Sequence, residues 1–223
     1  MPTLTGPLPA LLDAMEKSLP IITAAGWDSG WVNEIGNAYI SAARAIMTTK
    51  ALDAGADVVV YLDHDMAWAP RDLLTLIETP GDVVAGTYRY KDDSEDYMGV
   101  PIIGDDGRPV TRSDGCIKMR CIPAGFMKIT KAGIERFKDA YPHLKFGRHI
   151  GKDYIDLFNH GAYEGVWYGE DYAFSRNWIA AGGDIWVIPH LQLDHHSKDK
   201  CYPGNYHDYW LRQPGGSHYK EAA

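Results

Sequence analysis

Residues 58 to 66 read VVVYLDHDM: Val58 to Leu62 are apolar or aromatic without a break, and the run stops at Asp63, His64 and Asp65. A β-branched run that is apolar on both faces fits a strand buried within a sheet better than a half-solvated one, and it predicts a parallel neighbour. Two carboxylates about 4 Å apart repel by about 4 kcal/mol at an effective dielectric of about 20, so a cation is expected beside them. Upstream, NEIGNAYISAARAIMTTKALDAG places Ile35, Tyr39, Ala42, Ile46 and Leu52 near helical spacing and predicts a helix from about Asn33 to Ala54, stopped by Gly55. Downstream, APRDLLTLIE begins with Pro70 in a helix-start position, and GDVVAGTYRY reads as a further strand. Strand, helix and strand in alternation predict an α/β sheet with right-handed crossovers.

The middle of the chain changes character. Asp106-Gly107 and Asp114-Gly115 separate short apolar pieces and predict antiparallel hairpins. Thr130 is placed to cap the helix KAGIERFKDAY, and GEDYAFSRNWIAAGG is a helix opened by acids and closed by two glycines. DIWVIPHLQL is a strand or a pair of short ones ending in DHHSK. The opening MPTLTGP is short, so the fold is expected to begin at or inside its first element. Residues 199–223 are aromatic and glycine-rich without periodicity, and read as a tail or lid.

With 22 basic and 30 acidic side chains the net charge is −8, which argues against a broad grip on nucleic acid or an anionic membrane. Arg89, Lys91, Lys118, Arg120, Lys145, Arg148 and Lys152 either gather into a local basic face or are ordinary solvated charge. Three cysteines without a CxxC spacing predict neither a disulfide framework nor a cysteine zinc site. No stretch approaches the roughly 20 apolar residues of a membrane span, and no signal core is visible, so a cytoplasmic location is expected.

Three groups of residues can carry chemistry. If the chain stays extended through the acids, Asp63 and Asp65 point one way and His64 the other, and two oxygen ligands beyond the carboxyl end of a strand suit Mg2+ or Mn2+. The bland alternative is a solvated turn whose acids cap the following helix. The second group is HLQLDHHSKDK, where an imidazole beside the carboxylates favours Mn2+ over Mg2+. His190, His195, His196, Cys201 and His207 also raise zinc, but no C-x2-C or H-x3-H pair on a helix is present, and zinc is disfavoured. The third is Glu170-Asp171, where the helix dipole would help keep a carboxylate ionised and able to take a proton; acids are equally common in first turns for stability alone.

The order of these motifs resembles a metal-dependent, nucleotide-sugar glycosyltransferase of the GT-A fold, most similar to small phage- and virus-encoded members: a short PT strand, a helix carrying AR, an apolar strand ending in DxD, VVAGTYRY, GFMKI, a GED helix and a strand ending in L-x-L-x-H. The resemblance covers residues 1–198. It implies one α/β domain, a mostly parallel Rossmann-like sheet flanked by helices with a small antiparallel acceptor-side part. It further implies that Pro2, Thr3 and Arg44 meet the nucleotide base, that Asp63 approaches ribose and metal, and that Asp65 and His195 bind Mn2+ or Mg2+, with His196 competing for the histidine role. Lys198 would neutralise the departing diphosphate. Asp171 would be the base of an inverting transfer and Glu170 would hold sugar hydroxyls. Gly125 and Phe126 would wall the sugar. Trp167 is either a stacking platform for a ring or a core residue. The donor implied is a UDP-sugar, and the acceptor a saccharide, a protein or a modified base of phage DNA; if phage-encoded, the enzyme would work in the host cytoplasm. Two other classes compete: a nucleotidyltransferase or phosphohydrolase with the same acid-metal logic, and a noncatalytic nucleotide-sugar binding module.

Overall fold

Residues 58–62 are a buried strand, as the apolar run predicts, but their neighbour is antiparallel. The computed structural model describes residues 1–3 and 6–212. In chain order its elements are β1 (Pro2–Thr3), α1 (Pro9–Ala24), β2 (Glu34–Ile35), α2 (Ile40–Asp53), β3 (Val58–Leu62), β4 (Met66–Trp68), α3 (Asp72–Glu78), β5 (Val83–Ala85), β6 (Val100–Pro101), β7 (Ile117–Cys121), β8 (Phe126–Thr130) and α4 (Lys131–Ala140). There follow β9 (Lys145–Phe146), β10 (Tyr154–Ile155), β11 (Gly161–Tyr163), β12 (Val166–Tyr168), α5 (Glu170–Ala180), β13 (Ile185–Val187), β14 (Gln192–His196), β15 (Cys201–Asn205) and α6 (Tyr206–Arg212).

The central sheet has the order β3-β8-β5-β13-β7-β6. Within this sheet, among the described residues, only β5 and β13 pair in parallel; its other ladders are antiparallel, which corrects the expectation of a mostly parallel sheet. β3 and β5 do run in the same direction, because both are antiparallel to β8, but β8 lies between them. The α/β class stands. An apolar run reports that both faces of a strand are covered and carries no information on the direction of its neighbour.

Alternate residues of the sheet feed two cores. Val59, Tyr61, Val83, Ala85, Met127 and Ile129 pack with Ile134 and Phe137 of α4 and Phe174 and Trp178 of α5. Leu62, Val84 and Phe126 pack on the other side with Leu11, Ala14 and Ile22 of α1 and Leu73 and Leu76 of α3. The sheet is thus covered on both faces by helices. Helix α1 is absent from the sequence reading, although Pro9 opens it and Leu11, Ala14, Ser18 and Ile22 form its buried stripe.

Helix α2 begins at Ile40, seven residues later than expected, and stops as predicted before Gly55, whose φ of 87° is the left-handed conformation open to glycine. Its inner face is also different. Ile35 and Tyr39 are 61% and 70% exposed, whereas Ser41, Ala43, Arg44, Ala45, Met47 and Thr48 are buried. Thr48 shares a 2.7 Å hydrogen bond with the Tyr61 hydroxyl, so a partnered polar residue stands where a hydrophobic pattern expects solvent.

Several local predictions hold. The Asp-Gly turns join antiparallel bridges, Ile103 to Pro109 and Thr111 to Ile117, with Gly107 and Gly115 at positive φ. Thr130 caps α4 by accepting from Gly133 N at 3.1 Å, and α5 spans the GED segment. Residues 199–212 depart from the tail or lid reading: β15 pairs with β14, and Tyr206 of α6 is buried in the first core. The rest of that segment, 213–223, lies outside the described residues. Among the described residues no helix is long and apolar enough to cross a membrane.

Candidate functional site

Asp63 and Asp65 lie beyond the last residue of β3, and the chain turns there instead of staying extended. His64 and Asp65 form the turn, and Met66 N donates to Asp63 O at 3.2 Å before β4 begins. The turn removes the alternation that was expected to face His64 away from the acids: His64 Nε2 lies 4.0 Å from Asp65 Oδ2.

Two cations of the chain itself meet the two carboxylates. Arg44, 1% exposed, donates from Nη2 to Asp63 Oδ1 at 2.7 Å and from Nη1 to Glu170 Oε1 at 2.9 Å, with its guanidinium 5.0 Å from the centre of the Phe158 ring. Burial alone would lower the Arg44 pKa, but Asp63 and Glu170 outweigh it and the net shift is upward. Lys91 pairs with Asp65 Oδ2. Arg44 therefore joins the end of β3 to the start of α5, and it does so from a helix face that periodicity assigns to solvent. The expected shared pocket of Arg44 with Pro2 and Thr3 is not what the guanidinium contacts: Pro2 and Thr3 are buried in β1, and the Thr3 hydroxyl is engaged in a turn with Gly6.

His195, in β14, approaches the same acid. Its Nε2 is 3.9 Å from Asp65 Oδ2, and its Nδ1 is 2.8 Å from the Arg89 carbonyl oxygen. Only a protonated Nδ1 can donate to a carbonyl, so in the neutral ring the lone pair is on Nε2, the nitrogen nearer Asp65. Burial lowers the His195 pKa, with the Arg89 carbonyl partly opposing, which favours the neutral ring. The Tyr88 ring meets the His195 ring edge-on at 4.8 Å, and its hydroxyl accepts from Gly125 N at 3.0 Å. A Cβ on Gly125, expected to wall the sugar, would sit 2.3 Å from the Tyr88 hydroxyl and 2.8 Å from Asp63 Oδ2, so this position lies against the acid and admits no side chain.

Glu170 and Asp171 open α5 behind Gly169. The helix dipole favours their charge, yet burial and the neighbouring Glu170 push Asp171 up to about 6, with Arg44 pulling the other way. Asp171 Oδ1 accepts from Tyr172 N at 2.8 Å. A neutral imidazole, two charge-compensated carboxylates and a carboxyl group that titrates near neutrality thus converge at the ends of β3, β14 and α5. Asp65 thus has two imidazole nitrogens near one carboxylate oxygen, His64 Nε2 at 4.0 Å and His195 Nε2 at 3.9 Å, while Asp63 is held by Arg44; carboxylate and imidazole are donor types that divalent cations accept.

Other expected residues fall elsewhere. Phe126 is fully buried against Trp68, ring centroids 5.2 Å apart, and belongs to the core instead of a sugar wall. Lys198 lies at the exposed tip of the β14–β15 hairpin, while Lys91, read only as part of a possible basic face, reaches Asp65. Lys118 and Lys152 of that face pair with Asp184 and Asp53. Trp167 is 72% exposed on the β11–β12 hairpin that leads into α5, which excludes the core reading for it. His196 turns away from Asp65, its Nε2 lying 3.7 Å from Cys201 Sγ. Tyr88 was read within the strand GDVVAGTYRY, and Arg89 and Lys91 as part of a possible basic face; because β5 stops at Ala85, all three lie beyond the carboxyl end of a strand, where sites collect. A groove of about 730 Å3 lined by Arg108, Thr111, Ile117, Pro189 and His190, and a smaller one of about 310 Å3 around Ser41, His143, Asp156 and Asn159, share no residue with this cluster.

No protein-family model matches the chain, and no curated protein matches it. Among solved structures it is similar to A197 from STIV, at 15% sequence identity and a TM-score of 0.54, over 92% of this chain and 91% of that one. At that identity the likeness speaks for the fold alone.

Proposed function

We propose that the protein is a metal-dependent glycosyltransferase that moves a sugar from a nucleotide-diphosphate donor, UDP-linked, to a hydroxyl acceptor with inversion. The observation that carries this reading is the approach of His195, its Nδ1 held by the Arg89 carbonyl, to within 3.9 Å of Asp65, next to the Asp63–Arg44–Glu170 unit whose charges act on Asp171. Asp63, Asp65 and His195 would hold Mn2+ or Mg2+, which when bound supplies positive charge to the diphosphate as its negative charge grows.

The remaining work falls to the chain. Arg44 fixes Asp63 and Glu170 as a rigid unit, so that Glu170 can accept from sugar hydroxyls without reorienting. Lys91 is within reach of Asp65 and takes over a phosphate oxygen when the donor enters, the role expected of Lys198. The acceptor oxygen attacks the anomeric carbon, the bond from that carbon to the diphosphate oxygen breaks with its electron pair leaving on the diphosphate, and the acceptor proton passes to Asp171. A carboxylate whose pKa is pushed up to about 6 is a stronger base than an ordinary one while still largely ionised at neutral pH. Trp167, exposed beside the start of α5, offers its ring face to the acceptor.

Titration calorimetry of UDP with Mn2+ and with EDTA tests the donor half, and UDP release across a panel of UDP-sugars tests the transfer. Binding is expected to need the metal and to be lost in Asp65→Ala. Metal-independent binding that survives Asp65→Ala would overturn the proposal, and the anomeric configuration of the product by NMR checks inversion.

A further inference from the structure

β14 carries chemistry on its second face as well. Asp194 and His196 are two residues apart on one strand and share a face, and Cys201 of β15 is the direct cross-strand partner of His196. One ligand atom from each of the three lies within 4.8 Å of the other two, and Cys201 Sγ stands 3.7 Å from His196 Nε2. Zinc bonds of about 2.3 Å to sulfur and about 2.05 Å to nitrogen, meeting at a tetrahedral angle, place those two atoms about 3.6 Å apart. The hairpin therefore holds a sulfur, a nitrogen and a carboxylate close to the spacing a single tetrahedral ion requires. His195 lies between Asp194 and His196 but faces Asp65, so the two clusters share a strand and no ligand.

We infer that Asp194, His196 and Cys201 form a second metal site, for Zn2+ or a comparably thiophilic divalent ion, with solvent as the fourth ligand. A thiolate selects zinc over Mn2+ and Mg2+, while the carboxylate-rich cluster around Asp65 prefers the harder ions, so the two faces of β14 sort metals by softness. The ion ties β15 to β14 and so fixes the strand on which His195 is mounted. Helix-based zinc spacing misses such a site, because here the ligands come from i and i+2 of one strand and the facing residue of the next. The inference stands on the hairpin alone and does not depend on the transferase reading.

Cobalt(II), which substitutes for zinc and is coloured, tests it on the reduced, metal-free full chain. The expected result is one equivalent bound with a near-ultraviolet sulfur-to-cobalt charge-transfer band and the visible bands of a tetrahedral ion. The charge-transfer band is expected to vanish in Cys201→Ser and to persist in Asp65→Ala and His195→Ala. His196→Gln should weaken cobalt binding at least ~10-fold, and provides the same test should Cys201→Ser fail to fold by circular dichroism. A folded wild-type chain that shows no charge-transfer band would overturn the inference. So would a band of unchanged intensity in folded Cys201→Ser, which would assign the sulfur to Cys116 or Cys121.

Discussion

Asp171→Asn separates what the site needs from what the fold prefers. Burial, then Glu170, raises the Asp171 pKa to about 6 in the folded chain, against about 3.9 for an unfolded aspartate. A carboxyl group with a raised folded pKa contributes stability that is fully present below about pH 4 and is lost as pH rises to about 6. About two pKa units at 1.36 kcal/mol each correspond to roughly 3 kcal/mol of destabilisation above pH 6. Asparagine is nearly isosteric, keeps the acceptor that receives Tyr172 N, and carries no charge, so the variant escapes this cost. Its new amide group must find partners in a partly buried site, which costs about 1–2 kcal/mol at any pH. The stability of Asp171→Asn relative to wild type is therefore expected to rise by roughly 2 kcal/mol between about pH 4.5 and pH 8, the remaining third of the swing falling below pH 4.5, while transfer is lost throughout. Urea unfolding followed by circular dichroism across that range measures the difference. A relative stability constant to within about 0.5 kcal/mol over the whole range would refute the reasoning, because it would mean that Asp171 feels no more desolvation or repulsion folded than unfolded.

Arg44→Met removes the single cation between Asp63 and Glu170 and is expected to destabilise the fold by about 3–5 kcal/mol at neutral pH, with Glu170→Gln added to the variant recovering part of the loss, as urea unfolding would show. Gly125→Ala forces a methyl group against the Tyr88 hydroxyl and Asp63, and should cost about 1–3 kcal/mol in thermal unfolding and weaken metal-dependent nucleotide binding in calorimetry. Lys128, buried in β8 with its ammonium donating to the Ile77 and Thr79 carbonyls, has its pKa lowered to about 8 by burial. Its penalty is therefore present below about pH 8 and relieved towards pH 10.5, so wild type should gain roughly 3 kcal/mol on Lys128→Met across that interval in denaturant titrations.

What could be read from the chain alone was what local chemistry determines. The end of α2 at Gly55, the Asp-Gly hairpin turns, the Thr130 cap and the acid-opened α5 each depend on a few adjacent residues and their own backbone preferences. The direction of β8 depends on residues more than 60 positions away from β3, and no pattern within FMKIT encodes it. Arg44 was named through the resemblance, but its burial and that of Thr48 escaped the periodicity, because a polar residue can lie inside when its partner arrives from a distant segment: Asp63 and Glu170 for one, Tyr61 for the other. His64 was misdirected by extending strand alternation to Asp65, three residues past the end of the strand at Leu62. The separation of His195 from His196 was open in the sequence and is decided by a ladder, since β4 and β15 clamp β14 from both sides.

That clamped ladder constrains how the chain can change. Inserting or deleting a single residue in β14 would exchange the faces of His195 and His196, turning one imidazole from Asp65 towards Cys201 and the other the opposite way. Each cluster would be offered the other's imidazole from a shifted position on the strand, and Asp194 would leave the Cys201 face, even though no ligand had been substituted. Loop lengths elsewhere can drift with little consequence, but the strand between Leu191 and Ser197 can lengthen or shorten only in steps of two.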